Sequence, residues 1–78
     1  MDIKESALAA DRILSDEVFR EAVSELRKGA LEALVSVVAT DAEAIRDNQA
    51  LVRALDSLDG KLRGVVTASK LTKRNAAA

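Results

Sequence analysis

The sequence predicts an all-α fold, and three observations carry that reading. Proline is absent, and Ala and Leu are the commonest residues, 15 and 10 among 78; both lose little freedom in a helix. Apolar residues recur at intervals of three and four through most of the chain, which places them on one helical face. Side chains able to accept from free helix-start amides stand at the junctions between these stretches. Together they predict an antiparallel helical hairpin, about residues 17–39 and 41–69. A short N-terminal helix precedes it, and self-association into a bundle completes it. Residues 1–71 are expected to form one domain and residues 72–78 a frayed tail.

The first helix is expected over roughly residues 3–14, where Ile3, Ala7, Ala10 and Leu14 share a face. Ser15 and Asp16 follow, and either suits the N-cap of the next helix. In the second helix, Phe19, Val23, Leu26, Ala30, Ala33 and Val37 form a seam of alternating four- and three-residue steps. Leu31, Leu34, Val35 and Val38 widen the apolar surface towards its end. A helix apolar nearly all round is buried on more than one side. Thr40 to Glu43 then matches a capping box, with the Thr40 hydroxyl expected to accept from the Glu43 amide. So short a connection predicts antiparallel neighbours.

The third helix is read as a seam of Leu51, Leu55, Leu58, Leu62 and Val65, extended backward by Asn48 and Ala44. Asn48 is a polar residue in an apolar seam, a device that fixes register. Asp59 and Arg63 are placed to form an ion pair one turn apart. Gly60 could cap a helix end. The seam stays in phase through Leu62 and Val65, so one continuous helix is favoured. Gly60, Gly64 and Ala68 then share a face where another backbone can approach closely.

Composition excludes several chemistries. Without histidine or cysteine there is no Ser–His or Cys–His nucleophile, no disulfide, and only carboxylates to bind a metal. No enzyme activity and no cofactor are expected. Glu17, Glu21 and Glu25 form an acidic stripe. It reads as a solvated face, or else as a surface for a basic partner in a host-directed inhibitor. Residues 61–78 carry five bases, Lys61, Arg63, Lys70, Lys73 and Arg74, and no acid. They either complement the dipole of a helix end or bind phosphate groups of a nucleic acid. No apolar run is long enough to span a bilayer, and the N-terminus has no signal-peptide pattern, so a cytoplasmic protein is expected.

A chain this small has a marginal core, and without disulfides association is its remaining staple. The expected function is therefore protein–protein interaction or assembly, through Leu31, Leu34, Val35, Val38, Leu55, Leu58 and Leu62. The expected partners are copies of the same chain or other proteins, with nucleic acid second. The pattern Ala10, Ile13-Leu14, Asp16 and Phe19 continues with Ala22, Leu26, Thr40-Asp41 and Arg46. It closes with Leu51, Ala54-Leu55-Asp56, Leu58 and Leu62. Over roughly residues 8–70 this order resembles small helical-hairpin proteins encoded among the structural genes of tailed phages and prophages. It departs from them at Ala33-Leu34, where they often carry a bulky aromatic, and at Ser69-Lys70, where they often carry Gly-Lys. The resemblance implies a virion or assembly role with phage or host proteins as partners, and assigns no catalytic residue.

Overall fold

The computed structural model describes residues 1–77, with side chains described through Thr72. It contains three helices, α1 (Ile3–Ser15), α2 (Glu17–Ser36) and α3 (Ala42–Ala77), and no strand among the described residues. Each helix begins at an aspartate. Asp2, Asp16 and Asp41 accept from the amides of Glu5, Phe19 and Ala44 at 2.8, 2.8 and 3.0 Å. Each carboxylate satisfies one free donor and places a negative charge at the positive end of the dipole. The capping box expected at Thr40 is replaced by this Asp41 cap. The carboxylate outcompetes the neighbouring hydroxyl, and the helix starts one residue later than a Thr40 cap would set it.

The second helix is shorter than the 17–39 expected. It stops at Ser36, where Val37 turns to extended backbone at φ −69° and ψ 144°. The Ser36 hydroxyl donates to the Glu32 carbonyl at 3.1 Å, occupying an acceptor at the frayed end. Val35, Val37 and Val38 are β-branched and add little to hold another turn. The third helix is longer than the 41–69 expected. It runs unbroken through Gly60 and Gly64 to Ala77.

The first helix packs along α3 and has little contact with α2. Asp16, extended at φ −71° and ψ 119°, ends one helix and starts the next. Thus α1 and α2 run end to end as one broken arm, and α3 is the other. Thirty-six residues at about 1.5 Å each make α3 about 54 Å long, and the molecule measures 56 × 24 × 19 Å. It is a rod two helices thick.

A two-helix rod has little interior. Among the described residues only Ala10, Ala30 and Leu55 are buried. The half-buried side of α3 is Ile45, Asn48, Val52, Asp59, Leu62, Val66 and Ser69, around Leu55. This corrects the phase of the expected seam. Ala44, Asn48, Leu55, Leu62 and Val65 of the expected seam are buried or half-buried, whereas Leu51 and Leu58 are exposed on its flank. Two polar features accompany this rotation. Arg27 on α2 donates to Asp56 at 2.9 and 3.5 Å across the exposed side of the arms, a surface ion pair that contributes little by itself. Asp59 occupies a seam position beside the opening lined by Leu14 and Glu17, where the arm is broken, and accepts from Arg63 at 2.8 Å.

Candidate interaction surfaces

The two flanks of the rod differ in chemistry. Helical periodicity and the Arg27–Asp56 bond define which residues share a flank. One flank is a groove lined by Glu17, Arg20, Ser24, Arg27, Asp56 and Arg63. Both bonded guanidiniums there, Arg27 and Arg63, are held above the ordinary arginine value, first by the hydrogen bond and then by the charge of Asp56 or Asp59. Two ion pairs, Arg27–Asp56 and Arg63–Asp59, stand over a floor of Leu14, Phe19, Val23 and Leu55, with Glu17, Arg20 and Glu21 on the rim.

The opposite flank is apolar. Leu26 is 54% exposed, Leu58 43% and Leu51 38%. Ala22, Gly29 and Ala54 lie exposed between them. The register set by Arg27 and Asp56 places Gly29 beside Ala54 and Leu26 near Leu58. Further along α3 the same flank runs past Lys61 to Val65. It then reaches an open shallow surface made by Ser57, Gly60, Gly64 and Ala68. A Cβ added at Gly29, Gly60 or Gly64 would meet nothing within 4 Å.

The seven residues expected at an interface divide into two groups. Leu55 is buried and Leu34 and Leu62 are half-buried inside the hairpin, so they hold the arms together. Leu31, Val35, Val38 and Leu58 are exposed. The first three cluster near the turn, with Val35 88% exposed. Leu26 and Leu51 were not among the residues read as interface. Each stands in the expected seam of its own helix, Leu26 on α2 and Leu51 on α3.

Among the described side chains, Lys61, Arg63 and Lys70 of α3 do not gather. Lys61 points along the apolar flank, Arg63 is bonded to Asp59, and Lys70 lines a small opening with Lys4 and Asp11 on the other flank. The side chains of Lys73 and Arg74 lie outside the described residues. Glu17, Glu21 and Glu25 are all exposed. Among the described residues no three acids stand close enough to share a metal ion, and no helix is long and apolar enough to cross a membrane. Comparison with known protein families, curated proteins and solved structures finds no match.

Proposed function

We propose that this chain is a non-enzymatic interaction or assembly protein that works by packing its apolar helix surface against other polypeptides. The carrying observation is the mismatch between its composition and its burial. Nearly half of the residues are hydrophobic, 49%, yet among the described residues only three are buried. A compact protein of 8.3 kDa exposes about 4,600 Å² in all; this chain exposes 6148 Å². Large apolar side chains such as Leu26, Leu51, Leu58, Val35 and Val38 are part of that exposed surface, and apolar side chains grouped in this way mark an interaction surface. The resemblance to phage and prophage hairpin proteins points the same way and suggests a structural or accessory component of a virion.

Site-specific photocrosslinking in cells that express the full chain tests this reading. A photoreactive residue at Leu26 or Leu58 is expected to capture polypeptide, and one at Gln49 or Arg53 is not. Capture from neither apolar position would overturn the proposal. The nucleic-acid reading predicts instead a duplex-binding activity that falls steeply with salt and weakens when Lys70, Lys73 and Arg74 are replaced.

A further inference from the structure

Resting on that interaction reading, we infer that the occupant of the apolar flank is a second copy of this chain, docked flank to flank to make a four-helix bundle. Three observations select a copy of itself. First, the area fits. The surface in excess of a compact monomer is about 1,600 Å², and a stable interface takes about 800 Å² from each partner. One such contact leaves surface to spare.

Second, the flank carries both halves of a packing pattern. Leu26, Leu51 and Leu58 project from it, while Ala22, Gly29 and Ala54 leave shallow gaps between them. Helices pack by setting the ridges of one into the grooves of the other. A surface with ridges and gaps together can satisfy a copy of itself across a two-fold axis, since in such a contact each residue meets its counterpart's surroundings. Third, the charges on the flank are few and of both signs: Glu25 between Ala22 and Gly29, Asp47 one turn before Leu51, and Lys61 three residues beyond Leu58. A two-fold contact that runs α3 antiparallel to its copy about Ala54 sets Asp47 of each copy towards the other's Lys61. The opposite flank, with its arginines and carboxylates, remains in water on the outside of the bundle.

Sedimentation equilibrium of the full chain tests this, followed by interference optics because Trp and Tyr are absent. The wild-type chain is expected to be a dimer. A Leu26→Glu/Leu58→Glu chain and a Leu26→Lys/Leu58→Lys chain are each expected to associate at least about a hundredfold more weakly, given two central apolar anchors replaced. Mixing the two is expected to restore a helical dimer with one chain of each kind. A Val35→Glu/Val38→Glu chain, altered near the turn, is expected to dimerise as wild type does. The inference is overturned if the wild-type chain is a helical monomer at every concentration. It is overturned equally if the mixture fails to reassociate, or if the turn variant dissociates while the flank variants stay paired. A helical monomer that still crosslinks to another protein through Leu58 would sink the second copy and leave the interaction reading standing.

Discussion

Leu55 is the largest side chain withdrawn from solvent among the described residues, at 8% exposure. Truncating a buried leucine costs about 2–5 kcal/mol, and domains of this length hold about 4–12 kcal/mol in total. Leu55→Ala is therefore expected to remove a large share of the stability and lower the urea midpoint sharply, read by circular dichroism at 222 nm during a urea titration. At the turn, Asp41→Ala is expected to cost about 0.5–2 kcal/mol, the range for losing a cap. Thr40→Ala is expected to change little, and the reverse order in the same titration would return the cap to Thr40. Arg27 and Arg63 are bases raised by their partners. Their contribution is whole below the ordinary arginine range and is lost only as pH rises through the raised values. Neither clasp opens from its arginine side near neutral pH. Exchanging the charges, Arg27→Asp with Asp56→Arg, is expected to restore a melting temperature that either change alone lowers.

Gly60 and Gly64 sit inside α3 with open space where a side chain would be. In a lone hairpin, replacing either with alanine is expected to stabilise the fold by about 0.4–1 kcal/mol, through the unfolded chain's lost freedom. If another backbone lies against that face, the same change lowers the melting temperature instead. The helices themselves were readable in the sequence, as was the continuity of α3 through both glycines. The phase of the α3 seam was less so. Leu51, Leu58 and Val65 make one apolar row, while Val52 and Val66 with Ile45 make another. Periodicity alone does not choose between rows so close together. The choice lies in how α3 packs on both α1 and α2, through contacts between residues far apart in sequence, of which Arg27 with Asp56 is one. The same distance hid the place of α1, whose partner is the far end of α3. For the candidate surface, Leu58 is among the residues expected at an interface, whereas Leu51 of the same row and Leu26 on α2 stand only as seam residues, because periodicity marks a row and not the way it faces.

The whole molecule is more extended than its length requires. Its radius of gyration is 16.9 Å, against about 11–12 Å for a compact domain of 78 residues. A rod of two helices buries little by itself. A fold that gains its missing core by association becomes more stable as protein is added. The thermal midpoint is therefore expected to rise with concentration across two decades, by several degrees. A midpoint that does not move would mark a hairpin that stands alone.

The broken arm also sets an order in time. When the chain is synthesised from its N-terminus, α2 and the first half of α3 are joined by a short turn and can zip together at once. The stretch of α3 that receives α1 is made after both. So α1 emerges before α2 and α3 but is the last of the three to find its place, and Ala7, Ala10 and Leu14, which the fold half-buries or buries, wait unsheltered until then.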